Sequence, residues 1–166
     1  MIRILSIVED TTVDGPGFRT SIYCAGCTHH CPECHNRHSW AADGGEEYTT
    51  DELMAVIKAD PFAKGVTFSG GDPMLQADGF AELARAIRRE TNKNIWCYTG
   101  FTWEALQRMP SKLRLLKLVD VLVDGPYLKD QRDPDLLFRG SRNQRLIDVP
   151  ASLRAGSVVL WQNGWQ

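Results

Sequence analysis

No apolar run in this 166-residue chain approaches the roughly 20 residues that a membrane-crossing helix needs. Its first residues also lack the basic, apolar and small-residue succession of a secretory signal. Neither sign of charge dominates. The 19 Lys and Arg against 21 Asp and Glu leave a formal net charge of −2, which gives no electrostatic case for nucleic acid or an anionic membrane. There is no internal repeat, low-complexity tract or linker, and no persuasive nucleophile–base triad. Cysteine is scarce and oddly placed: of five, four crowd into residues 24 to 34, where a disulfide framework would spread them along the chain. Crowding reads as metal or cluster binding in a reducing compartment, so a cytoplasmic protein is expected. The length fits one domain, residues 1–166, burying roughly 70% of its unfolded surface.

Along the chain, Ile2 to Val8 is apolar enough for a first or edge strand, and Thr20 to Cys24 for another. Residues 25 to 47 read as loop. A helix starts at Thr50 and is stopped by Pro61, and Gly65 to Ser69 is a strand ending in a Gly-Gly-Asp-Pro turn. Phe80, Leu83, Ala84 and Ile87 recur at helical spacing up to about Glu90. Asn94 to Thr99 is a strand, Trp103 to Met109 a short helix ended by Pro110, and Leu113 to Val119 helical before a strand at Val121 to Asp124. Arg145 to Val149 and Ser157 to Trp161 are the last strand candidates. This alternation implies an α/β fold with a mostly parallel sheet, whose ligands sit at the carboxyl ends of the strands. Cys24 to Cys27, Ser69 to Asp72, Tyr98 to Gly100, and Asp124 all fall at such ends.

Cys27, Cys31 and Cys34 form a C-x3-C-x2-C run. Three thiolates can hold three irons of a 4Fe–4S cubane and leave the fourth open to a ligand. The competing reading is zinc, with Cys24 as fourth ligand and His29, His30 and His35 nearby. Zinc knuckles are normally a dozen or more residues apart, and here three residues separate them. Cys97, inside Ile95-Trp96-Cys97-Tyr98, reads as a buried strand residue. The five tryptophans are scattered and carry no assigned role.

The run and its surroundings resemble the radical S-adenosylmethionine (SAM) enzymes. Asp14-Gly15-Pro16-Gly17-Phe18-Arg19, Gly26-Cys27 through Asn36, Tyr98-Thr99-Gly100-Phe101, Val121 to Gly125 and Arg139 to Gln144 narrow it to the activases of glycyl-radical enzymes, over about Asp14 to Arg145. The resemblance implies a partial (β/α) barrel with an open sheet. It implies a 4Fe–4S cluster on Cys27, Cys31 and Cys34, and SAM as second cofactor. Backbone groups at Glu33, Cys34 and His35 would meet the SAM adenine, Gly70, Gly71 and Asp72 its amino group, and Asp124 would lie near it. Asp124 also suits a helix or turn cap. Asn143 and Gln144, with Arg139 and Arg142, would meet SAM or the partner's backbone, or form a polar loop. Glu33 stands where related chains have an aromatic residue or glycine, and Pro126 where they often have lysine.

The implied activity is installation of a glycyl radical on a partner enzyme. Anaerobic ribonucleoside-triphosphate reductase, through its large subunit, fits the pattern best, with pyruvate formate-lyase as the alternative and reduced flavodoxin as the one-electron donor. A zinc-stabilised protein-binding module is the reading from another class.

Overall fold

The computed structural model describes residues 1–32, 34 and 39–162. Its frame is a seven-stranded sheet in the order β3-β1-β2-β4-β5-β6-β7. The strands are β1 (Ile2–Thr11), β2 (Arg19–Cys24), β3 (Glu46–Tyr48), β4 (Gly65–Gly70), β5 (Asn94–Tyr98), β6 (Val121–Asp124) and β7 (Arg145–Asp148). The central β2, β4, β5 and β6 pair in parallel, while β1 and β7 run against their neighbours. Because β3 is antiparallel to β1, five of the seven strands point the same way.

Alternation along the strands sorts the side chains onto two faces. Ile22, Val66, Phe68, Ile95, Cys97 and Leu122 pack against helices α1 (Thr50–Ala59), α2 (Ala77–Glu90), α3 (Trp103–Leu106) and α4 (Pro110–Leu116). The opposite face carries Thr67, Trp96, Val121 and Val123, with Trp96 packed among Phe138, Leu146 and Trp161. The helices form where local signals agree. Thr49 and Glu52 make a reciprocal capping box at α1, and Leu53, Met54 and Ile57 supply its buried stripe. Phe80, Leu83, Ala84 and Ile87 do the same for α2.

Four sequence expectations need correction. β1 is the first strand, as one reading had it, but not an edge, because β3 pairs with it inside the stretch read as loop. Three residues, two of them Glu, are too few and too polar to show an extended pattern. Pro110 opens α4 rather than merely ending the preceding helix, since its missing N–H is harmless in a first turn. Ser157 to Trp161 contributes only an isolated bridge, Leu160 to Ile147. Ahead of it lies helix α5 (Val149–Ala155), capped by Asp148 through the Ala151 amide and ended by Gly156 in the left-handed conformation. At seven residues it is too short for a periodic signal.

Candidate functional site

The carboxyl ends of β2, β4, β5 and β6 meet along one rim of the sheet. Over that rim lies a cavity of about 160 Å³. Cys27, Cys31 and Cys34 line it together, facing Ser69, Gly70 and Gly71 at the end of β4 and Tyr98 to Gly100 at the end of β5. The thiols are half-buried. Burial pushes Cys27 and Cys31 up, partly offset by the backbone N–H groups of His29 and His30 at Cys27, and of Tyr127 at Cys31. A bound metal would replace the thiol proton, and the same N–H groups would then stabilise the thiolates.

Three thiols lining one cavity are a donor set that a cubane can take. Among the described residues, no three Cys, His, Asp or Glu side chains converge tightly enough to hold one metal ion. A cubane takes its three thiolates on three separate irons. Cys24 stands apart from them: its side chain is fully buried at the end of β2 in the helix-side core, and the cavity lining does not include it. Burial raises its thiol far above the ordinary range. Cys97 is likewise a buried strand residue, as expected.

The Gly70–Asp72 turn is built by backbone packing. The Gly71 amide donates to the Cys24 carbonyl (2.8 Å) and the Asp72 amide to the Gly26 carbonyl (2.8 Å). A Cβ on Gly71 would lie 2.3 Å from the Gly26 oxygen, and Gly70 has φ +98° with the Cys24 backbone equally close. Glycine is therefore required by the approach of two chain segments. Carbonyl oxygens at such a strand end are the kind of acceptor that an ammonium group needs.

The Asp72 carboxylate is buried and faces protein on both oxygens. Oδ1 accepts from the Met74 amide (3.0 Å); Oδ2 accepts from the Thr99 hydroxyl (2.9 Å) and the Gly100 amide (3.0 Å). His29 Nε2 lies 2.6 Å from the same Oδ2. Asp124 is equally engaged, accepting from the Trp103 amide (2.8 Å) and from the Arg145 amide and guanidinium. It ties β6 to β7 and to α3. Sequence reading placed His29 only in the zinc alternative, because a histidine between two cysteines first reads as a metal ligand. No local pattern names a partner 43 positions away.

The β6–β7 connection closes the far side of the cavity with Gly125, Tyr127 and Gln144. Gln144 donates to the Gly125 carbonyl and accepts from the Gly140 and Ser141 amides; Asn143 donates to the Pro126 carbonyl. Arg139 donates to the Gln144 carbonyl. The Arg139–Gln144 signature therefore fastens its own loop. A second cavity of about 330 Å³ abuts the first at Ser39, Ser69 and Gly70, and reaches Asp14, Tyr23 and β1. There Asp14 accepts from Ser21 and Tyr23. Arg19, fully buried, donates to Thr67, Val66 and Pro16 and lies 5.5 Å from the Trp96 ring centroid. Burial lowers its guanidinium to about 10. Glu33 and His35 lie outside the described residues.

Comparison with known proteins bears on this geometry. The family model "4Fe-4S single cluster domain" matches residues 13–147. A Vibrio cholerae protein named anaerobic ribonucleoside-triphosphate reductase-activating protein is 40% identical over 139 residues, covering 80% of this chain and 88% of its own. The chain belongs to this family of activating proteins. Members of the same name from Escherichia coli K12 (34% identical, 80% of this chain and 89% of theirs) and bacteriophage T4 (35%, 81% and 86%) extend it. Among solved structures, QueE from Escherichia coli superposes with a TM-score of 0.50 at 19% identity, over 61% of this chain and 53% of that one, a likeness of fold. No helix among the described residues is long and apolar enough to cross a membrane.

Proposed function

We propose that this chain is a radical SAM activase, a single domain over residues 1–166 whose sheet forms a partial (β/α) barrel. It installs a glycyl radical on the large subunit of anaerobic ribonucleoside-triphosphate reductase. The observation that carries the reading is the sharing of one cavity by three cysteines and the Gly70–Gly71 strand end, in a chain whose relatives bear that activating name.

Cys27, Cys31 and Cys34 would hold a 4Fe–4S cluster, and the Gly70 and Gly71 carbonyls the SAM amino group. The backbone at Glu33, Cys34 and His35 would meet the adenine. Held there, the reduced cluster and SAM would supply reductive C–S cleavage and abstraction of a hydrogen from a glycine Cα. The chain's own part is to bind, orient and exclude. The Asp72 and Asp124 carboxylates act through the scaffold, fixing the ends of β4, β5 and β6 against one another. The abutting cavity beside Asp14 and Tyr23 supports a substrate larger than a metabolite. The protein works in the cytoplasm with a one-electron donor of the flavodoxin class.

The test is anaerobic reconstitution with iron and sulfide, then dithionite and SAM, with 5′-deoxyadenosine quantified and the reductase added. A glycyl-radical doublet in the electron paramagnetic resonance spectrum of the reductase is expected. A loaded cluster that cleaves no SAM with the reductase present would sink the proposal. A doublet on pyruvate formate-lyase instead would move it to the alternative partner.

A further inference from the structure

His29 lies in the three-residue gap between Cys27 and Cys31 and lines the same cavity. It is 17% exposed and reaches across the cavity to Asp72, which is 1% exposed. A carboxylate only accepts, so the ring N–H donates to Oδ2, the third donor on that oxygen after Thr99 and Gly100. The ring also covers the Gly100 backbone: a Cβ there would lie 2.5 Å from its Cδ2. Phe101 meets it edge-on at 4.6 Å between centroids. One side chain from the cysteine loop thus touches the ends of β4 and β5 together.

Resting on the activase reading, we propose that His29 is a positioning residue that locks the cysteine loop onto the Gly70–Asp72 strand end. Closure of the loop around the cluster and alignment of the carbonyls that receive the SAM ammonium are then one event. Outer-shell contacts of this kind orient ligands they never touch. Coupling is reciprocal: SAM on the strand end retards loss of iron from the loop, and a seated loop favours SAM.

Two experiments decide it. In the cluster-free chain, urea midpoints are compared for wild type, His29→Ala, Gly100→Ala and the double variant. The Gly100 methyl displaces the ring, so the double shift falls short of the sum of the single ones; additive shifts overturn the contact. In the reconstituted protein, the half-time of iron release to a chelator is measured with and without SAM. His29→Ala shortens it at least about 10-fold and abolishes protection by SAM, while His29→Gln, which keeps a donor, restores both. Wild-type release and protection in His29→Ala would overturn the lock. If Gly100→Ala fails to fold, the His29→Ala and His29→Gln pair still decides. A wild type that SAM never protects defeats the activase reading instead; SAM-free release and the urea cycle continue to judge the lock.

Discussion

Nη2 of Arg145 lies 2.6 Å from Oδ2 of Asp124 and 2.7 Å from Oε2 of Glu104, so one guanidinium joins a buried carboxylate to an exposed one. Asp124 is the member that matters for folding, because the Trp103 amide depends on it as well. Asp124→Ala should destabilise the cluster-free protein by about 2 to 3 kcal/mol, for the loss of charge-assisted bonds and the donors left unmet. Urea denaturation measures it; a change under about 0.5 kcal/mol, the range of an ordinary surface substitution, would remove Asp124 from the scaffold.

Glu104 gives the pH counterpart. The Arg145 bond holds its carboxyl below the ordinary value of 4.5. A depressed acid contributes stability that is complete above its unfolded value and lost as pH falls through the lower folded one. Its side chain is 61% exposed, which limits the effect to under about 1 kcal/mol. The stability gap between wild type and Glu104→Gln should therefore be present at neutral pH and close in acid. A gap that persists unchanged into acid would show that the ion pair is not its source.

Cysteine replacements separate ligands from core. Cys27→Ala, Cys31→Ala and Cys34→Ala should each fail to retain a full complement of iron and sulfide after anaerobic reconstitution. Cys24→Ala should load normally and lose about 1 kcal/mol of stability to the small cavity it leaves. Iron loading that depends on Cys24 as strongly as on Cys31 would reopen the four-cysteine site, and zinc near one per chain without sulfide would establish it.

Gly71→Ala tests whether the turn is demanded by packing. The added methyl would collide with the Gly26 carbonyl, a backbone atom that cannot rotate away. Destabilisation of about 1 to 3 kcal/mol is expected in the cluster-free chain. If the variant unfolds like wild type and only SAM cleavage suffers, the glycine serves the ligand instead.

The rim of strand ends was legible from sequence because each strand that reaches it ends on a marked residue: Cys24, Gly70, Tyr98 and Asp124. Local patterns do not say where a carboxylate points. Asp72 reads as ligand-facing, and Asp124 as either ligand-facing or a cap, until Thr99, Gly100, Trp103 and Arg145 are placed around them by pairings between strands distant in sequence. β3 escaped notice for a related reason, since its three residues are extended only because β1 offers a partner. The role of His29 was hidden by its neighbours, whose chemistry is louder than its own.

The floor and the walls of the cavity are held by different kinds of bond. The floor is the laddered rim of four parallel strands. Side-chain bonds contribute to the walls: His29 on Asp72 holds the cysteine loop to the rim, and Gln144 on Gly125 and Asn143 on Pro126 fasten the β6–β7 connection to itself. Breaking the His29–Asp72 bond would leave the ladder whole, because no strand pairing passes through it. On the activase reading, a segment of another protein would meet the site at the open edge of a sheet whose own ladder it need not disturb.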